Sequence, residues 1–205
     1  LDITYYLNNR HKLYGQLLID DYQIDDDTPG DNEPNEIGIL AGIYSLDFLG
    51  LCVVEAEYLR IANRTYNQQM ARTRYENRGA LIGHGFGPDG DRLSLSFAKW
   101  YEFSHRMSLN LVYQRKGEGR YDNEWTSPWD DVEGDYSEPF PTGVVEKTLK
   151  ADIRLAGFFK RLIFYDLRAG LEDVSDFGHV ADDDRTVPFF SLRTSLILSG
   201  LLSIN

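Results

Sequence analysis

Several things that commonly organise a protein are scarce in this chain. Its 205 residues include one cysteine, Cys52, so no internal disulfide can form. Cys52 lies in an apolar run and is expected to be a small buried hydrophobe. Basic residues are outnumbered, 21 Lys and Arg against 33 Asp and Glu, and the net charge of −12 excludes a general nucleic-acid binder, which presents a basic field. No apolar run approaches the roughly 20 residues that a transmembrane helix needs. Histidine is rare, and His11, His84, His105 and His179 show no metal-ligand spacing, so no metal or other cofactor is expected. Helical periodicity is nearly absent. The chain also opens mid-pattern on LDITYYL, without an initiator Met or a signal peptide, which is the expectation for a processed product or a fragment.

What is abundant is aromatic: 13 Tyr and 11 Phe, set in strictly alternating segments that predict an all-β class. Nine such segments lie at about 1–7, 12–24, 37–47, 49–61, 92–103, 106–116, 145–157, 161–172 and 188–204. In the clearest, Glu146, Thr148, Lys150, Asp152 and Arg154 oppose Leu149, Ala151, Ile153 and Leu155. Asp166, Arg168 and Glu172 likewise oppose Leu167 and Leu171, and Arg193 opposes Leu192, Leu196 and Leu198. The segment 37–47 is apolar on both faces and fits the pattern least well.

The connections alternate as well. Short turns near 8–11, 47–49, 104–105 and 158–160 separate long loops at 25–36, 62–91, 117–144 and 173–187. An antiparallel up-and-down meander with tight turns at one end and long loops at the other is the plan of an outer-membrane β-barrel. Residues 1–205 are therefore expected to form a single β-barrel region, with leucines facing lipid and the charged rows facing a wet lumen. On that reading Ile153→Arg blocks assembly and Asp152→Arg is tolerated. Tyr5, Tyr6, Phe48, Trp100, Tyr101, Phe158 and Phe159 are expected to form an interfacial girdle at the tight-turn end. Nine strands is an odd count where closed barrels normally have an even one, which points to about half of a larger barrel. A soluble sugar-binding β-sandwich is the competing architecture, and a porin-like solute channel the competing membrane function.

The stretch Glu57-Tyr58-x-Arg60, then Thr65-Tyr66, then Ile82-Gly83-His84-Gly85-Phe86-Gly87-Pro88-Asp89 before a strand, resembles the Wzi family of capsule-assembly outer-membrane proteins. Tyr14-Gly15-Gln16-Leu17-Leu18-Ile19-Asp20-Asp21-Tyr22-Gln23 is similar to that family's strand entering an acidic loop. Asn63-Arg64 departs from the pattern, standing where a Pro-containing turn is expected. The resemblance implies a barrel of about eighteen strands, with the N-terminal ones outside this sequence. It implies a bacterial outer-membrane location and attachment of surface polysaccharide rather than catalysis, with outer-membrane lipid and lipopolysaccharide as surroundings.

The candidate polysaccharide-binding residues are Arg60, Arg64, Arg72, Arg74 and Arg78 with Tyr66 and Tyr75, and Trp125 and Trp129 in the next long loop. Guanidinium forks hold carboxylates bidentately and aromatic faces suit sugar rings. Contact with neighbouring lipopolysaccharide is the alternative for the arginines, and pinning of the loop the alternative for the tryptophans. Gly83, Gly85, Gly87 and Pro88 are expected to set an unusual backbone path, with His84 a structural hydrogen-bonder rather than a ligand. Asp20, Asp21, Glu55 and Glu57 form a candidate lumen network, joined by Arg60 to orient a sugar or simply charge-paired. Neither carboxylate pair sits in a glycosidase motif, so no enzyme is expected. The runs Asp25-Asp26-Asp27 and Asp182-Asp183-Asp184 are either solvated charge or oxygen ligands for Ca²⁺.

Overall fold

Alternating sequence becomes alternating structure. The computed structural model describes residues 1–24, 32–102, 104–132 and 136–196. Its strands are β1 (Asp2–Asn8), β2 (His11–Asp21), β3 (Glu36–Phe48), β4 (Cys52–Ile61), β5 (Glu76–Asn77), β6 (Ala80–Leu81), β7 (Gly90–Tyr101), β8 (His105–Lys116), β9 (Glu146–Phe159), β10 (Ile163–Ser175) and β11 (Arg185–Leu196). Nine of them form one antiparallel sheet in the order β1-β2-β3-β4-β7-β8-β9-β10-β11, each paired with the next along the chain except that β4 pairs with β7 across the small β5–β6 hairpin. The sheet has two ends, β1 and β11, and among the described residues it does not close on itself. The antiparallel meander expected from the sequence is present, while closure into a barrel is not seen. Leu198, expected on the apolar face, lies outside the described residues, as does the run Asp25-Asp26-Asp27.

The two faces of the sheet reverse the usual pattern of a protein in water. Asp152, in the middle of β9, is 3% exposed, as are Ser108 and Thr148 at 5%, whereas Ile153 is 57% exposed and Leu149 54%. Exposed Leu171, Leu192 and Leu196 continue that apolar surface across β10 and β11. The shielded face is wired by ion pairs between neighbouring strands. Arg168 grips Asp152 with Nε and Nη2 at 3.0 and 2.6 Å, and Arg154 grips Asp166 at 2.8 and 2.6 Å. Lys150 pairs with Glu172. Asn110 adds a bond from Nδ2 to Asp152 at 2.9 Å, so the network spans β8, β9 and β10. Further along the same face, the Tyr14 hydroxyl crosses β3 to donate to Glu57 at 3.0 Å. Lys150 and Glu172 stand directly opposite each other in the β9–β10 register, while Arg168 and Arg154, themselves opposite one another, each reach diagonally to a carboxylate on the neighbouring strand, Asp152 and Asp166.

Three expectations need correction. The girdle aromatics do not share a face: Tyr5 and Tyr6, Trp100 and Tyr101, and Phe158 and Phe159 are sequence neighbours within strands, so each pair splits across the sheet. Cys52 is half-buried rather than buried. Asp152→Arg is no longer expected to be tolerated, because the new guanidinium would meet Arg168 in a shielded position.

The anomaly at β3 has a physical cause. Leu40 of β3 packs with Leu18, Leu59 and Ile61 from the flanking strands, and Tyr66, Leu81, Phe86 and Tyr121 close the cluster from the loops. The β4–β7 connection therefore folds back over the polar face at its loop end. β3 is apolar on both faces because one of them is covered by chain.

Candidate functional site

The site is built where two long connections, 62–89 and 117–145, are tied together. Asp89 is the tie, and it is fully buried. Its carboxylate accepts from Gly119 N at 2.8 Å, Thr142 N at 2.9 Å and the Thr142 hydroxyl at 2.5 Å. Its backbone bonds to both loops as well, donating to Ala62 O and accepting from Gly117 N. Asp89 also adopts φ +60°, which Asp tolerates better than most residues. A Cβ on Gly119 would stand 2.1 Å from Asn63 Oδ1 and 2.6 Å from the Asp89 Cβ, so only glycine brings the second loop this close.

Tyr66 anchors the first loop on the sheet. It is 4% exposed, its N–H donates to Asp20 Oδ2 at 2.8 Å, and its hydroxyl accepts from the His84 N–H at 3.3 Å. Burial pushes the phenol's pKa up, keeping it a neutral hydroxyl. The Tyr75 ring lies 5.8 Å away between centroids. The Tyr66 ring occupies the space a Cβ at Gly83 would need, Gly87 takes φ +73°, and Gly85 faces open space. Phe86 is then held between two cations, with Arg92 at 4.6 Å and Lys116 at 4.7 Å from its ring centre. Lys116 also donates to the carbonyls of Phe86 and Pro88. The glycine-rich motif is thus a turn wrapped on a lysine, and Pro88 is buried in it.

His84 behaves as a hydrogen-bonder. Its Nδ1 accepts from the Phe86 N–H at 3.1 Å. Desolvation, and after it the Arg92 charge, lower its pKa from the ordinary 6.5. A histidine whose folded pKa is depressed contributes stability that is complete above the unfolded value and declines as pH falls below it. Acidification from neutrality to about pH 5 is therefore expected to loosen 82–88, speeding amide exchange at Phe86, and His84→Asn is expected to flatten that dependence. Unchanged exchange at Phe86 across the range would refute it.

The candidate residues named from the sequence divide into groups. Arg64 is inside the loop core at 8% exposure: Nη1 donates to Thr126 O at 2.8 Å, Nη2 pairs with Glu138 at 3.0 Å, and the guanidinium lies 4.7 Å from the Trp129 ring centre. Trp129 is buried beneath it and stacks edge-on with half-buried Trp125. These three residues pin the loop in this structure and offer little surface to a ligand. Arg74 donates to Asn123 O at 2.9 Å. Arg72 and Arg78 are exposed and make no salt bridge among the described residues. Arg60 lies on the opposite face of β4 from Glu55 and Glu57, over the Phe140 ring at 3.8 Å, so it does not join them. Glu55 and Glu57 meet Tyr14 instead, and Asp20 holds Tyr66. Asp21 accepts from the Tyr22 N–H. Near Asp20, Glu36 is 1% exposed, and its two carboxylate oxygens meet no donor among the described residues.

The run Asp182-Asp183-Asp184 is turn architecture: the Asp182 N–H bonds to Asp176, Asp184 accepts from the Asp176 N–H, and Asp183 pairs with Arg185. Among the described residues, no three His, Cys, Asp or Glu side chains are grouped to hold a metal.

In the sequence Asp89 marks only the end of a motif and Asn63 only a departure from one, while nothing local singles out Asn67, Glu118, Tyr121, Glu138 or Thr142 as partners of the site built on Asp89. Its partners Gly119 and Thr142 lie 30 and 53 residues along the chain, so no local pattern marks them. The β5–β6 hairpin turns at Arg78-Gly79, both at positive φ, and an arginine at the first of these positions is not the residue that signals such a turn in a sequence.

No curated protein and no solved structure matches the chain. A family model does: the one described as Capsule assembly protein Wzi matches residues 2–188, a span that contains the tie at Asp89, both loops and all nine long strands save the end of β11. The chain belongs to the Wzi family of capsule assembly proteins.

Proposed function

We propose that this chain forms part of an outer-membrane β-barrel whose long loops hold capsular polysaccharide at the bacterial surface. The observation that carries the reading is the reversed sheet, with ion pairs on the shielded face and leucine, isoleucine and valine on the exposed one. Such a surface is stable against hydrocarbon along the inner strands, where the backbone groups are paired with neighbours on both sides and the charges point away from lipid. The β4–β7 loop folds over the polar face at its loop end and packs there on Leu40, Leu59 and Ile61. That cover favours an anchor over an open porin-like channel. Among the described residues the candidate arginines Arg72 and Arg78 are exposed and make no salt bridge, while Arg64 is committed to Glu138 and the Thr126 carbonyl.

The test is deletion and restoration of the protein in the bacterium that makes it. Without it, polymer is expected to be made in normal amount and shed into the medium. With it, polymer stays on the cells, and the protein fractionates with the outer membrane with heat-modifiable gel mobility. Full retention of capsule in the deleted strain would sink the proposal.

A further inference from the structure

Two open depressions meet on the loop surface at Gly119 and Arg120. One, of about 340 Å³, is lined mainly by apolar groups, among them Leu81, Phe86, Pro88 and Tyr121. The other, of about 210 Å³, is almost wholly polar and includes Asn63, Asn67, Glu118, Asn123 and Glu124. Each is near or below the low end of the about 300–1,000 Å³ typical of pockets for drug-sized ligands, the scale of a single sugar ring. Their seam is rigid, since Gly119 is fixed by the Asp89 carboxylate on one side and Asn63 on the other.

We propose that this bipartite groove binds two consecutive, uncharged sugar units of the polymer. The proposal rests on the capsule-holding reading above and names the chemistry the loops select. A pyranose presents C–H groups on one face and hydroxyls around its edge. Aromatic and proline surfaces suit the first, and amides and carboxylates suit the second, because each can both orient and bond a hydroxyl. Asn67 and Asn123 are already oriented: Asn67 Nδ2 donates to Asn123 O at 3.2 Å, and Asn123 Nδ2 donates to Glu118 O at 3.2 Å. Such pre-organisation lowers the ordering cost of binding.

The charge pattern sets the class of sugar. The cations lining the two depressions are already engaged, Arg64 by Glu138, Arg120 by Asp122 through bonds of 2.8 and 2.9 Å, and Lys116 by the carbonyls of Phe86 and Pro88. Glu118 and Glu124 line the same wall and make no salt bridge among the described residues. A uronate placed there would meet carboxylates, whereas a neutral hydroxyl-bearing unit would not. Recognition by this groove therefore depends little on salt, unlike recognition by exposed arginines.

The experiment measures binding of the purified, detergent-solubilised protein to capsular polysaccharide from the producing cells, before and after chemical reduction of the polymer's carboxylates to alcohols. Tyr121→Ala strips the apolar depression, and Glu124→Trp fills the polar one from its exposed rim. Each is expected to weaken binding by about tenfold or more, as for a central interface contact. Lys160→Gln, in the distant turn between β9 and β10, serves as control, and heat-modifiable mobility verifies folding of every variant. Carboxyl reduction is expected to leave affinity unchanged or raised, with little change between low and high salt. If the unaltered protein binds but both variants bind as well as it does, the groove is not the site. Loss of binding on carboxyl reduction would equally overturn the assignment. No binding by the unaltered protein to either polymer would sink the capsule-holding reading itself, and this proposal with it.

Discussion

Replacing Asp89 with Ala is expected to release the 117–145 loop from the 62–89 loop while leaving the nine-stranded sheet assembled. Three donors converge on the buried carboxylate: Gly119 N, Thr142 N and the Thr142 hydroxyl. Hydrogen bonds to a charged group contribute about 1.5–3 kcal/mol each, and donors left buried without a partner add to the loss. The three are not additive, so the expected local destabilisation is about 3–5 kcal/mol. Alanine also tolerates the φ of +60° poorly. Asp89→Asn is expected to fall between the two, because an amide offers one acceptor oxygen where the carboxylate offers two, and its NH₂ would face a donor. The loss is local because the knot lies beyond the strands, and segments joined by few buried contacts open independently. The readouts are amide exchange at Gly119 and Thr142 and trypsin cleavage after Arg120, alongside a check that the sheet remains assembled. Full protection of those two amides in Asp89→Ala would show that the loops are held by something else.

The second large effect concerns the faces of β9. Ile153→Arg is expected to abolish assembly in the membrane, whereas Asp152→Asn, one residue away, is expected to leave it intact. Ile153 is mid-strand on the exposed apolar face, and a guanidinium at the midplane of a bilayer costs about 2–4 kcal/mol. Asp152 is on the shielded face between Asn110 and Arg168. Asparagine keeps one acceptor for that pair of donors at the loss of an ionic bond. Asp152→Arg belongs with the damaging changes, since it removes the acceptor and sets two guanidinium groups against each other. Membrane-fraction yield of folded protein separates the cases. Equal yields from Ile153→Arg and Asp152→Asn would mean that the exposed face does not meet lipid.

How much of this was legible in the residues differs from one region to another. A period of two is a local property, so Lys150, Asp152 and Arg154 opposite Leu149, Ile153 and Leu155 declared the strand and its two faces without any help from the rest of the chain. The ladder of short and long connections then ordered the strands, because a tight turn leaves no choice but an antiparallel neighbour. The motif ending in Gly87-Pro88-Asp89 was also visible, and it carried the family.

Other features depended on contacts that sequence does not display. β3 looked anomalous because the residues that cover its inner face, Tyr66, Phe86 and Tyr121, come from two loops. Arg64 and Trp129 look like ligand-binding residues in a list, being a cation and a ring in a loop. Only the fold places each against the other, with Glu138 and the Thr126 carbonyl consuming the charge. Arg60 and Glu57, three residues apart on one strand, are on opposite faces as a period of two already requires. Strand periodicity by itself determined which side chains share a surface. Tertiary structure decided which of them are already satisfied, because a buried donor or acceptor takes its partner from wherever the chain returns, at Gly119 and Thr142 for Asp89, and no local pattern encodes that return.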